Sequence, residues 1–221
     1  FSAAGAVLAR KLDRPLLLEA NGSEVWARAK WSRLQLRRLA ERMERYAFEG
    51  AAAIVVVSQI LKEQLVGIGA DAERILVNPN GVDPERFRPD LDGATVRRQL
   101  GFNPDDIVCG FLGTFTRWHG VLFLADQVGE LVRRHPRARF LFMGDGDLRS
   151  AVEDRVRQAG AGHAVVFTGL MPHDRVPTHL AACDVLISPH LPFEDGTPFF
   201  GSPTKLFEYM ALGRSVVASN L

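Results

Sequence analysis

A chain of 221 residues, 47% apolar and 24% charged, has the make-up of a soluble globular protein and room for one large domain or parts of two. Its net charge of +1 selects no partner by bulk electrostatics, and there is no aromatic-interleaved basic patch of the nucleic-acid type. No apolar run approaches the roughly 18 residues that span a bilayer, and no stretch reads as a signal peptide. The two cysteines, Cys109 and Cys183, lie in apolar segments where buried, reduced thiols are expected.

Taken in order, residues 2–12 predict a helix of small residues. Pro15 to Glu19 predict a short strand, followed by the turn Ala20-Asn21-Gly22-Ser23. Residues 24–49 predict one long helix, with Leu36, Leu39, Ala40, Met43 and Ala47 at helical spacing. Ala51 to Val57 reads as a buried strand, Ser58 as the cap of a helix from Gln59 to Ile68, and Ile75-Leu76-Val77 as a further strand. From Asn78 to Asp92 the chain turns irregular around Pro79, Asn80-Gly81, Pro84 and Pro89. This is the best domain boundary, with residues 1–90 on one side and its linker at 78–92, and residues 93–221 on the other.

A second series of units follows. Strands are expected at 107–112, 139–143, 165–168, 184–188 and 215–218. Helices are expected between them, the last over 203–212. Strict alternation at these lengths predicts a parallel sheet covered on both faces. Neither Phe1 nor Leu221 reads as a natural terminus, so the chain is expected to be a fragment.

Several stretches could carry chemistry. Gly144-Asp145-Gly146-Asp147 follows a strand and opens a helix, where glycines let backbone approach a ligand or simply make a tight turn. Gly113 to Gly120 is also a strand-to-helix loop. In it Arg117 and His119 could bring positive charge to a phosphate, and Trp118 could cover a ring or belong to the core. Ser202-Pro203-Thr204-Lys205 starts the last helix, with Ser202 as N-cap, Pro203 at the first helical position and Gly213 as terminator. Leu206 with Met210 and Phe207 with Ala211 would form its apolar face, leaving Lys205, Glu208 and Tyr209 on a polar one. Such a helix start favours an anion such as a phosphate, or it is an ordinary surface helix. His190, Glu194 and Asp195 lie in the loop before it, facing either a ligand or solvent. The basic run Arg28, Lys30, Arg33, Arg37, Arg38, Arg42 and Arg45 could favour an anionic membrane surface, though a solvated helix face fits better. No metal-ligand spacing is visible, and no metal or other cofactor is expected.

Together these pieces resemble a retaining glycosyltransferase of family 4 (glycosyl transferases group 1) incomplete at both ends. The motifs are Val77-Asn78-Pro79-Asn80-Gly81-Val82-Asp83 with Phe87 and Pro89, the Gly113–Gly120 loop, Phe142-Met143-Gly144-Asp145-Gly146, and Ser202 to Gly213. The resemblance implies an α/β fold of the GT-B kind, with two Rossmann-like doubly wound domains and parallel sheets, both truncated here. It implies an enzyme that moves a sugar from a nucleotide-diphosphate sugar to a glycan, lipid-linked or small-molecule acceptor, as in polysaccharide biosynthesis. Glu208 would hold the ribose hydroxyls of the nucleotide. The helix start at Ser202, Pro203, Thr204 and Lys205 would receive the pyrophosphate, with Gly113, Thr114, Gly144 and Gly146 nearby and Met171 near the base. Arg117 and His119, the latter as imidazolium, would serve the leaving group. Asn21, Gly22, Glu194 and Asp195 are the candidates for the donor sugar or the cleft.

Three departures stand out. The first glutamate of the family's pair falls at Phe200, and the usual Arg and Lys of the phosphate loop fall at Thr114 and His119. The glycine-rich loop that normally opens the family is missing. A nucleotide-sugar epimerase of the same fold, or a non-catalytic nucleotide-sugar-binding subunit, remain the alternatives. The expected location is cytoplasmic, with peripheral contact at the inner face of a membrane. The 221 residues alone are expected not to transfer sugar.

Overall fold

The computed structural model describes residues 3–31 and 33–221. The helices expected over 2–12 and 24–49 include Ser2 and Ser32, which with Phe1 lie outside the described residues. The chain divides into two compact units, one of residues up to Asn80 together with 198–202, the other of residues 81–197 together with 203–221.

The first unit holds helices α1 (Ala3–Lys11), α2 (Glu24–Trp31), α3 (Arg37–Gly50) and α4 (Gln59–Gly67) around strands β1 (Leu17–Ala20), β2 (Ala53–Val56) and β3 (Ile75–Val77). The strands pair in parallel in the order β1-β2-β3. Strand residues alternate between faces, so Leu18, Ala20, Ile54 and Val56 are buried while Leu17 is exposed. The single helix expected over 24–49 is two, broken before Leu36, which takes the left-handed conformation at φ 52°. The physical cause is Glu44. Its buried carboxylate accepts from the Ser23 hydroxyl at 2.9 Å and from the Val25 N–H at 3.3 Å, capping the start of α2. A continuous helix could not fold back to make this contact. The buried stripe of α3 is therefore Ala40, Glu44, Ala47 and Phe48, and the expected Leu36 and Leu39 are exposed. The Ser58 cap is as expected, accepting from Leu61 N–H at 3.1 Å. Its hydroxyl also donates to the Phe200 carbonyl at 2.7 Å. Phe200 is buried and meets Trp26 edge to face at 5.2 Å.

The second unit holds strands β4 (Ile107–Leu112), β5 (Ala138–Met143), β6 (Val165–Gly169), β7 (Val185–Ser188) and β8 (Ser215–Ala218). Its helices are α5 (Ala94–Gln99), α6 (Val121–Arg134), α7 (Arg149–Gln158), α8 (Val176–Ala181) and α9 (Thr204–Ala211). All strand pairs are parallel, in the order β6-β5-β4-β7-β8. Successive β5 residues feed two separate cores. Phe140 and Phe142 pack with Phe111, Val121, Val128 and Val152 on one face. Leu141 and Met143 pack with Val108, Leu180, Tyr209 and Leu212 on the other. This is the sheet covered on both faces that the alternation predicts. Residues 81–90 belong with this unit rather than the first, and Phe87 lies in its second core. Helix α5 has no counterpart in the sequence reading; at six residues it is too short to show a period, and Asp92 starts it by accepting from Ala94 N–H at 2.8 Å. Among the described residues no helix is long and apolar enough to cross a membrane.

Tyr209 ties α9 to the sheet. Its ring is wholly buried and its hydroxyl accepts from the Leu112 N–H at 2.9 Å. Tyr209→Phe keeps the ring but leaves that buried N–H unpaired, so stability falls by about 1–3 kcal/mol. Urea unfolding of the full-length protein checks this as a lower midpoint at unchanged slope.

Candidate active site

In an open parallel sheet, a ligand crevice forms beyond the strand C-termini where the strand order reverses. Here the chain goes from β4 outward to β5 and β6, then returns to add β7 and β8 on the opposite side, so the reversal lies between β4 and β7. The loop after β4 is 113–120, and the segment after β7 leads into α9. Both stretches singled out from the sequence therefore lie at one sheet edge.

The 113–120 loop is laced to the turn after β5. Gly113 N–H donates to Met143 O at 3.0 Å, Phe115 N–H to Asp145 O at 2.8 Å, and Leu148 N–H to Phe115 O at 3.2 Å. Gly144, at φ 130°, is so close to this loop that a Cβ there would lie 2.0 Å from Gly113 O. The close approach that Gly144 permits is thus to a neighbouring backbone, and Gly146 likewise packs on Phe115. On its other side the loop accepts at Trp118 O from Leu191 N–H, 3.1 Å away, which joins it to the segment after β7.

Helix α9 differs from its sequence reading in two ways. Pro203, not Ser202, occupies the N-cap position, and no side chain caps the helix. The Ser202 hydroxyl accepts from Asn80 N–H at 3.1 Å within the first unit, and its carbonyl accepts from Asn80 Nδ2 at 2.7 Å. The first-turn N–H groups are left with no side-chain acceptor. The buried face is also turned from the one expected, although Leu206 and Ala211 still pack, half-buried, against the second core. Lys205, Glu208, Tyr209 and Leu212 are buried, whereas Met210 is 60% exposed. The anchored Tyr209 sets this rotation, carrying Lys205 inward four residues before it, and Glu208 lies three residues beyond Lys205 on the lysine's side.

Lys205 is 8% exposed and its Nζ, sealed from solvent, has no hydrogen-bond partner. Nζ lies over the Phe111 ring, 4.7 Å from its centroid, and 2.6 Å from where a Cβ on Gly113 would be. A side chain at position 113, already strained by φ 152°, would displace the ammonium. Burial lowers the Lys205 pKa to about 7, with Glu208 opposing the shift. His119 is buried beside it. Its Nδ1 is 2.6 Å from Thr114 O, an acceptor, so Nδ1 carries the proton and Nε2 is the free nitrogen of the neutral ring. Burial, then Lys205, lower its pKa to about 4, with the Thr114 contact opposing. The imidazolium expected from the sequence is therefore not the resting form at pH 7. His190 is buried too, 3.0 Å from the Ser188 hydroxyl through Nδ1 and edge to face with His119 at 5.2 Å. Burial, Lys205 and His119 lower its pKa to about 3.

Glu208 is 5% exposed, and among the described residues no donor reaches its carboxylate. Burial raises its pKa, countered by His173, Lys205 and Arg86. Arg117 and Thr114 are exposed on the loop. Met171 packs against the second core, half-buried. Glu194 and Asp195 are exposed, and Asp195 accepts from Thr197 N–H at 3.0 Å. Asn21 and Gly22 are in the first unit, where Asn21 Nδ2 donates to Glu19 at 3.4 Å and Gly22 abuts the Phe200 ring. Among the described residues no group of three or more His, Cys, Asp or Glu could hold a metal ion. The sequence reading put Lys205 on a polar face and missed both its burial and the pairing of His190 with His119; the signal available was that Lys205 and Tyr209 are four residues apart.

The sign of the Lys205 effect on stability follows from its lowered pKa. The unfolded chain holds this proton up to about 10.5 and the folded one only to about 7. The destabilisation is complete below pH 7 and fades as pH rises toward 10.5. Lys205→Met is therefore expected to stabilise the protein by roughly 2–4 kcal/mol at pH 6, part of the gain being offset by the lost attraction to Glu208, and by much less at pH 10. Denaturant unfolding at the two pH values measures the difference.

Residues 106–221 match the family of group 1 glycosyl transferases, and residues 1–86 match glycosyltransferase family 4. An uncharacterised glycosyltransferase of Methanocaldococcus jannaschii is 29% identical over 183 residues, 81% of this chain and 45% of the relative. The 2-deoxystreptamine glucosyltransferase of Streptomyces kanamyceticus is 31% identical over 157 residues, 70% of this chain and 41% of the relative. The crystal structure of HepE from Anabaena in complex with UDP-glucose superposes with a TM-score of 0.76 at 24% identity, covering 97% of this chain and 56% of that one. The chain thus spans about half the length of the curated relatives it matches. With one family model matching more than half of the chain and the fold shared along nearly its whole length, the chain belongs to the group 1, family 4 glycosyltransferases and has their GT-B fold.

Proposed function

We propose that the full-length protein transfers a sugar from a nucleotide-diphosphate sugar to a glycan, lipid-linked or small-molecule acceptor, with retention of anomeric configuration. The observation that carries this reading is the start of α9. An uncapped helix N-terminus, a buried lysine without an acceptor and a buried carboxylate without a donor lie within one turn, at the sheet's switch point. Amide N–H groups and an ammonium suit a diphosphate, and a carboxylate suits the two hydroxyls of a ribose. The Anabaena relative's complex with UDP-glucose supports a nucleotide sugar as the ligand class. The chemistry is electrostatic: the site stabilises a departing diphosphate and the positive charge developing on the sugar. A neutral His119 could gain a proton once a diphosphate anion lies beside it, becoming the cation the sequence reading assigned. No step in this reading needs a metal.

A nucleotide-sugar-binding subunit without transferase activity is the second reading. It is favoured by Phe200, a buried core residue of the first unit at the position where the resemblance expects a sugar-binding glutamate. Incubating the full-length protein with UDP-glucose or GDP-mannose and acceptor mixtures separates the two, since transfer products are expected and binding alone would favour the subunit. Glu208→Gln is expected to weaken UDP binding by about tenfold or more, the loss of one charged acceptor at about 1.5–3 kcal/mol, with unfolding midpoint retained. Calorimetric titration checks it, and equal affinity would remove Glu208 from the ribose.

A further inference from the structure

We propose that the corner between α2 and α3 docks the protein on an anionic phospholipid bilayer, its arginines meeting lipid phosphates and Trp31, Leu36 and Leu39 entering the interface. All of these residues belong to the first unit. Between Glu24 and Tyr46 seven basic side chains stand against three carboxylates, and each carboxylate is already engaged. Glu24 pairs with Arg28 at 3.3 Å, Glu41 pairs with Arg37 at 2.8 Å, and Glu44 is the buried cap of α2. Arg38, Arg42 and Arg45, four and three residues apart, form one strip on the side of α3 away from its buried Ala40, Glu44 and Ala47. With Arg33 they are exposed, and among the described residues none of the four makes an ion pair or a side-chain hydrogen bond. Such charges alone are at home in water, which is why the basic run by itself fits a solvated face. The apolar side chains among them are not. Leu36 is 75% exposed, Leu39 53% and Trp31 52%. Leu36 also holds the left-handed conformation at φ 52°, a strain that its side chain recovers nothing for by burial. Trp31 meets Trp26 edge to face at 5.0 Å while half of its surface stays open. An indole and two leucines set among arginines suit the boundary between headgroups and acyl chains.

Charge complementarity selects the occupant. A second copy of the chain would bring like-charged arginine strips face to face, which is costly. A soluble polyanion would satisfy the arginines and leave the leucines in water. An anionic bilayer takes both, since each arginine near its surface adds a salt-screened attraction and each apolar side chain adds buried area. The docking does not rest on the transfer reading. Under that reading, a first unit held at a bilayer favours the lipid-linked class among the proposed acceptors.

The experiment is co-sedimentation of the full-length protein with lipid vesicles. Wild type is expected to bind vesicles of equal parts phosphatidylglycerol and phosphatidylcholine, more weakly as ionic strength rises, and to bind pure phosphatidylcholine far less. Arg38→Gln, Arg42→Gln and Arg45→Gln together are expected to weaken binding to the mixed vesicles by roughly 100-fold, at about fivefold per charge. Leu36→Asn with Leu39→Gln keeps every charge, and asparagine tolerates the left-handed conformation. This leucine variant is expected to bind the same vesicles at least about tenfold more weakly, with its urea midpoint held. The proposal is overturned by a wild type that ignores the mixed vesicles, by equal binding to mixed and neutral vesicles, or by a leucine variant that binds like wild type. It is overturned equally by a lipid-free wild-type dimer in analytical ultracentrifugation that the leucine variant loses, because a second copy then covers this face. None of these outcomes bears on the nucleotide reading, which UDP titration measures separately.

Discussion

The second unit is organised around a conflict between a tyrosine and a lysine on the same helix face. Tyr209 buries its whole ring and gives the last N–H of β4 an acceptor. An aromatic side chain removes on the order of 150–250 Å² from water, worth about 4–6 kcal/mol at the usual coefficient. Bringing that ring in brings Lys205 in as well, because the two are four residues apart on a helix. The cost of desolvating an ammonium is several kcal/mol, so the two terms nearly offset each other. The lysine lowers its share by titrating near neutrality and by resting its head on the Phe111 ring. A helix chosen only for stability would have turned Met210 inward, and this one leaves it exposed.

The backbone around that lysine is held by other backbone. Gly113 hydrogen-bonds to the end of β5, Phe115 to the following turn, and Trp118 to the segment after β7. Gly144 fits against Gly113 with no room for a methyl group. Few side chains take part in this lacing, so the loop is fixed before any ligand arrives. A charge placed against such a surface needs little reorganisation to meet an anion, which is the condition under which electrostatic stabilisation is most effective. The buried ring pair of His119 and His190 fills the adjoining space, and burial, with the local ammonium second, favours the neutral form of both.

The alternation of strands and helices was legible because each strand of the second unit is a short apolar run bounded by turn residues. The three strands 75–77, 107–112 and 215–218 have the expected bounds. What local pattern could not give was the direction in which an element faces. For α9 the apolar pairs Leu206/Met210 and Phe207/Ala211 point one way by periodicity, but a tyrosine hydroxyl matched to a strand N–H decides otherwise. For α3 the stripe through Leu36 and Leu39 is overruled by Glu44, whose value lies in capping a different helix twenty residues earlier. Ser202 was a sound local cap, yet its hydroxyl has a partner in Asn80, 122 residues away in sequence. Each miss is a polar group whose partner is distant in the chain. The candidate site was legible in its location, since two strand-to-helix loops in one parallel sheet must meet at an edge, and not in its charges.

Lysine rather than arginine at position 205 has a physical consequence. A guanidinium buried here would stay charged at every accessible pH and would need a permanent counter-ion, which Glu208, with its own carboxyl raised by burial, is poorly placed to be. An ammonium can shed its proton in the low-dielectric setting and regain it when an anion enters. The same reversibility extends to His119, whose free Nε2 lies in the neutral state until negative charge arrives. Three basic groups grouped at one helix start would repel one another if all were charged. Kept largely neutral, they can pack at protein density and, in the proposed transfer, still become cations as negative charge accumulates on a leaving group. The site's positive charge is therefore conditional on its ligand, and the fold avoids the standing cost of a buried cluster of like charges.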